Sequence, residues 1–131
     1  MTGLDTNVLV RYFAQDDPIQ SRKAIELIER RLTEDNPGFV SLVTMVETVW
    51  VLSRAYGLSD YEIAALVEGM LRSDTLVIQN EQEVFTAAAA LRSGRGSFAD
   101  ALVSVLGLWA GCDVTVTFDK KAARMDGFAL I

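Results

Sequence analysis

The feature that most constrains the fold is an alternation of short apolar runs with stretches of helical period. "TGLDT", "GFVSL", "TLVIQ" and "CDVTVTF" read as strands, and "FALI" as a last one. Between them, apolar residues recur every three to four positions, as they do on one face of a helix. "DDPIQSRKAIELIERRL" opens with Asp17 as N-cap and Pro18 at the first helical position, and carries Ala24, Ile25, Ile28 and Leu32 on one stripe. A short helix is expected from about Asn7 to Phe13. "TMVETVWVLSRAYG" is expected to be a helix closed by Gly57, and "SDYEIAALVEGMLRS" one opened by the capping box Ser59–Glu62. Asn80 reads as the cap of "EQEVFTAAAALRS". "SFADALVSVLGLWAG" follows the turn "GRG", and "DKKAARM" reads as a short helical turn. Strands alternating with helices imply an α/β fold whose parallel sheet is covered on both faces.

The chain has 131 residues, which suits a single domain over 1–131 with a core of its own. Its apolar runs are broken by charge well short of the ~18 residues of a membrane span, and the N-terminus lacks the pattern of a signal peptide. The lone cysteine, Cys112, has no internal disulfide partner, so the expected setting is reducing and cytoplasmic. Histidine is absent, which removes Ser–His and Cys–His nucleophile systems and the usual zinc sites. Chemistry must then come from carboxylates, hydroxyls, amines or a borrowed metal. Twelve Lys and Arg against eighteen Asp and Glu give a net charge of −6, whereas most nucleic-acid binders are basic.

Four acids stand at the ends of these elements. Asp5 closes the first strand. Glu47 lies in the first turn of the helix after the second strand, and Asp100 in the first turn of a later helix. Asp119 follows the fourth strand. Ligands of open α/β sheets bind beyond the carboxyl ends of the strands, where connectivity places Asp5, Glu47 and Asp119. Taken singly, each acid also reads as a cap. Thr44–Glu47 and Ser97–Asp100 have capping-box spacing, Asp119 suits the "KKAARM" turn, and Asp5 suits the first helix. Taken together, clustered carboxylates repel one another unless a cation sits among them. Oxygen ligands without His or Cys select Mg²⁺ or Mn²⁺, and such an ion suits phosphodiester hydrolysis.

The four blocks that hold these acids carry a resemblance. "LDTNVLVRYF", "SLVTMVETVWVL", "FADAL" and "TFDKKA" resemble, in order and over essentially the whole chain, the signature blocks of PIN-domain ribonucleases of the VapC toxin type. The resemblance implies a three-layer α/β/α sandwich around a five-stranded parallel sheet, and Mg²⁺- or Mn²⁺-dependent endonucleolytic cleavage of RNA. It implies that Asp5 and Asp100 are the most direct metal ligands. Glu47 would act through water as ligand or base, and Asp119 would support a second metal or the shape of the site. Asn7 and Thr117 match polar positions that orient the acids. Many relatives carry a further acid just before "FADAL", where this chain has Ser97, which weakens the case for a second metal. The resemblance also implies a small cognate antitoxin, VapB-like, that lays a segment along an apolar groove and reaches the acids with an arginine. A homodimer and a larger toxin–antitoxin assembly belong to the same pattern. The helix around Trp50 and the segment Ser59–Ser73 are the expected contact regions.

With four acids assigned to a metal, the charge of the remainder moves from −6 to −2, and RNA can approach. Arg11, Arg95, Lys120, Lys121 and Arg124 are available for phosphates, though each taken alone reads first as ordinary solvated surface. "SGRGS" reads as a turn between helices or as a set of backbone N–H groups for a phosphate. Trp50 and Trp109 read as core or interface, and Cys112 as a small buried residue. Two other readings stay open. One is a PIN-like fold kept as a non-catalytic binding module. The other is a Mg²⁺-dependent phosphohydrolase, which needs a second Asp where this chain has Asn7. A phospho-receiver fits poorly, since the paired acids Asp16–Asp17 precede a helix.

Overall fold

The computed structural model describes residues 1–131, in two compact units, Met1–Asn80 and Glu81–Ile131. Six α-helices alternate with five short strands, all paired in parallel. The expected single five-stranded sheet is corrected: the ladders form a set of three, β1–β2–β3, and a pair, β4–β5. The strands run only two or three residues; after β1 and β2 the capping residues Asp5 and Ser41 turn the chain into a helix almost at once. No helix is long and apolar enough to cross a membrane.

In the first unit, β1 (Thr2–Gly3), β2 (Gly38–Val40) and β3 (Leu76–Ile78) pair in register, with Gly3 beside Phe39 and Phe39 beside Val77. Gly38 lets Leu4, Leu32 and Leu76 close over the middle strand, since a Cβ there would lie 2.8 to 3.1 Å from their methyl carbons. α1 (Thr6–Ala14) starts one residue earlier than its sequence suggests and buries Thr6, Leu9 and Val10. α2 (Pro18–Glu26) has the expected start, with Asp17 accepting the N–H groups of Ile19 and Gln20 at 3.1 and 3.0 Å. It widens into a π-turn over Leu27–Arg31 before the chain enters β2.

α3 (Leu42–Arg54) buries Thr44, Met45, Thr48, Val49 and Leu52. Its outward side carries Val43 and Trp50, both well exposed, beside the polar Glu47, Ser53 and Arg54. α4 (Asp60–Arg72) has the full capping box. Ser59 accepts from the Glu62 N–H at 3.1 Å, and Glu62 accepts from the Ser59 N–H at 3.0 Å. Those bonds hold the Glu62 carboxyl below its ordinary pKa, the backbone N–H of Ser59 contributing most.

In the second unit, α5 (Glu81–Arg92) buries Val84, Ala87, Ala88, Ala90 and Leu91. Asn80 before it has φ 52, the left-handed region, instead of the extended backbone of an N-cap. α5 packs on α6 (Phe98–Trp109), and α6 on β4 (Thr115–Thr117). A 3₁₀ turn, Ala122–Arg124, leads to β5 (Phe128–Leu130), with Thr115 beside Phe128 and Thr117 beside Leu130. Trp50 and Trp109 are exposed at 61% and 70%, which removes the core reading for both. Cys112 is also exposed, because it lies in the turn before β4 and not on the strand itself.

Candidate acidic site

Parallel pairing puts the carboxyl ends of β1, β2 and β3 at one edge of their sheet. Asp5 lies two residues beyond β1 and caps α1, one carboxylate oxygen accepting from the Thr6 N–H at 2.8 Å. The second oxygen has no protein partner, and the residue is exposed. Ser41 lies one residue beyond β2 and caps α3, accepting from the Thr44 N–H at 3.1 Å. Gln79, one residue beyond β3, accepts the Leu42 N–H at 2.8 Å. The edge is therefore organised by one acid, one hydroxyl and one amide.

This cap corrects the placement of Glu47. The helix starts at Leu42, two residues before Thr44, so Glu47 stands in the second turn, beyond capping reach. Its carboxylate is exposed and has no hydrogen bond or ion pair. It sits in an outward stripe with Leu42, Val43, Val46, Trp50 and Val51, which line a shallow concavity of about 700 Å³.

In the second unit, Asp100 does occupy the first turn of α6. The Ser97 hydroxyl caps that helix by accepting the Asp100 N–H at 3.1 Å. Unlike Glu62, Asp100 returns no side-chain bond, so its half-buried carboxylate carries none. Asp119 is a cap as well: one oxygen accepts from Lys121 N–H at 2.8 Å and from Ala122 N–H at 3.3 Å. Thr117 fixes the same turn by accepting the Asp119 N–H at 2.9 Å. Thr117 thus touches the backbone of Asp119, not its carboxylate. Asn7 is exposed and bonds to none of the acids, so its expected part in orienting them has no bond behind it.

The acids fall two to a unit, Asp5 and Glu47 in one, Asp100 and Asp119 in the other. Within neither unit do three His, Cys, Asp or Glu side chains form a group that holds a metal ion. The donor chemistry still suits a hard cation: carboxylate oxygens only, each acid keeping at least one oxygen free.

The cations divide. Arg95, Lys120, Lys121 and Arg124 are exposed and unpaired. Arg11 is built into a network the sequence did not reveal. Its Nε donates to Gln20 at 2.7 Å, and its Nη1 reaches Asp16 and the Tyr56 hydroxyl, each at 3.2 Å. Tyr56 in turn donates to Asp16 at 2.6 Å. Such a network was hidden because Tyr56 lies 45 residues away in the chain. "SGRGS" is a helix-terminating turn. The Gly94 and Arg95 N–H groups bond to Leu91 and Ala90 carbonyls, with Gly94 at φ +70, and so are not free for a phosphate.

Searches of curated proteins and of solved structures gave no match. The description "PIN domain" matches residues 4–128, a span that takes in the capped edge of the first unit, the Ser97 cap and the Asp119 turn. With nearly the whole chain covered, this protein belongs to the PIN domain family, whose members are generally nucleases.

Proposed function

We propose that the chain is a metal-dependent endoribonuclease, the VapC-type toxin of a toxin–antitoxin pair, acting in the cytoplasm. Asp5, Glu47, Asp100 and Asp119 are the acids that hold Mg²⁺ or Mn²⁺. One observation carries the reading: the PIN domain match, to a family whose members are generally nucleases, runs over residues 4–128 and takes in all four of these acids. Each of the four also keeps an oxygen without a protein partner, as a metal ligand requires, and Glu47 is not a cap at all.

When bound, the cation supplies Lewis acidity and a water of lowered pKa. The chain's own groups do the rest. Asp5 and Asp100 ligate, each anchored by a helix start that fixes its backbone. Glu47, with both oxygens unengaged, accepts a proton from the attacking water. Asp119 keeps one oxygen on its own turn and presents the other. Arg95, Lys120 and Lys121 draw in the phosphate backbone.

The proposed partner is an antitoxin segment seated on the outward stripe of α3. The apolar strip of Val43, Val46 and Trp50, well exposed at both ends, favours cover, and Glu47 lies within it, where an arginine from the partner pairs with it. A homodimer is part of the same proposal.

The test is cleavage of total RNA with Mn²⁺ or Mg²⁺, with EDTA, and with Asp5→Asn and Asp100→Asn. The expected result is cutting by the wild type with metal and none in the other arms. RNA left intact under every metal condition, with p-nitrophenyl phosphate hydrolysed, points to a phosphohydrolase. Intact RNA together with tight partner binding points to a binding module.

A further inference from the structure

We infer that a cleft between α1 and α2, beginning beside the sheet edge that carries Asp5, binds a backbone phosphate of the RNA. The cleft, about 260 Å³, is lined by Asn7, Arg11, Gln20 and Lys23 over a floor of Val8, Ala24 and Leu27. It contains two cations and two amides and no acid, in a chain whose net charge is −6. Small-molecule sites run about 300–1,000 Å³, so this volume suits a phosphate with part of its sugar.

The donors are set by the surrounding bonds. Gln20 accepts the Arg11 Nε–H with its carbonyl oxygen at 2.7 Å, which leaves its NH₂ group as a donor. Arg11 is held by Asp16 and Tyr56 through Nη1, which fixes the plane of the guanidinium and leaves Nη2 without a protein partner. Lys23 is exposed and unpaired. Asn7 is one helical turn before Arg11, so the two share a face of α1. Asn7 also stands two residues after Asp5, so the cleft begins at the sheet edge where the proposed ligand lies.

This inference rests on the ribonuclease reading. The test measures binding of a labelled single-stranded RNA in the Asp5→Asn background by fluorescence anisotropy, over a range of salt. Lys23→Glu is compared with Arg22→Glu, a neighbour that makes the same charge change outside the cleft. The expected result is a Kd raised roughly tenfold by Lys23→Glu with a salt slope shallower by about 0.7, the loss of one single-strand phosphate contact. Arg22→Glu is expected to change Kd less than threefold. Equal effects of the two variants, or no effect of either, overturn the inference while leaving ribonuclease activity untouched. Absence of any RNA binding overturns it together with the ribonuclease reading.

Discussion

The Ser41 hydroxyl accepts the backbone N–H of Thr44 at 3.1 Å, and this bond moves the start of α3 far enough back to free Glu47 from any capping duty. The two residues therefore separate stability from activity. Ser41→Ala is expected to cost about 1 kcal/mol through the lost cap. Glu47→Gln is expected to change stability by less than ~0.5 kcal/mol, as an exposed residue without partners, and to abolish RNA cleavage. Urea unfolding and a cleavage assay on the same samples check both. A Glu47→Gln variant that cuts RNA at the wild-type rate removes Glu47 from the site.

Asp119 has two duties that different substitutions tell apart. Its cap bonds reach the N–H groups of Lys121 and Ala122. Asn caps about as well as Asp, and Ala does not. Asp119→Ala is expected to lose about 0.5–2 kcal/mol of stability, whereas Asp119→Asn loses almost none. Both are expected to lower cleavage, because the amide oxygen is a poorer ligand for a hard cation. Cleavage that falls only in the unstable variant would mean that the residue acts as a cap and nothing more.

How far the sequence foretold this structure depended on the range of each signal. Asp17–Pro18 and Ser59–Glu62 were legible because a cap is made by residues two or three apart. The start of α3 was misread because "FVSLV" continues an apolar run past the strand, and only the Ser41 bond shows where it turns helical. Thr44–Glu47 has the spacing of a capping box, and spacing alone does not tell the first turn from the second. The division of the strands into three and two was out of reach, since pairing is a matter of contacts between distant segments. The Arg11–Asp16–Tyr56 network was hidden for the same reason. The four acids themselves were visible in their blocks, and their free oxygens emerged only when the caps could be counted.

Thr48 is fully buried in α3, and its hydroxyl has no hydrogen-bond partner. An unsatisfied buried polar group costs about 1–3 kcal/mol. Val has nearly the same shape and a similar helix propensity. Thr48→Val is therefore expected to stabilise the fold by about 1 kcal/mol, raising Tm by a few degrees. Thermal unfolding followed by circular dichroism checks it. A lower Tm would show that the hydroxyl does bond, to water or to a neighbour.

The Asp16–Tyr56 pair gives stability a dependence on pH at both ends of the scale. The Tyr56 O–H donates to Asp16 at 2.6 Å, and this bond, with lesser help from Arg11, holds the Asp16 carboxyl below its ordinary pKa. The unfolded chain then takes up a proton before the folded one does. Stability from Asp16 is complete above the ordinary carboxylate pKa and is lost as pH falls through the lower folded value. For Tyr56 the sign reverses. The same bond raises the phenol above its ordinary pKa, so its contribution is complete below that value and is lost as pH rises through the folded one. Asp16→Asn and Tyr56→Phe are each expected to flatten the loss of Tm between about pH 5 and 2.5, the window set by the ordinary Asp pKa of ~3.9. Tyr56→Phe also removes the fall above about pH 10, where free tyrosine titrates. Tm measured across both windows checks this. Acid profiles of both variants that run parallel to the wild type would mean that the bond does not persist in solution.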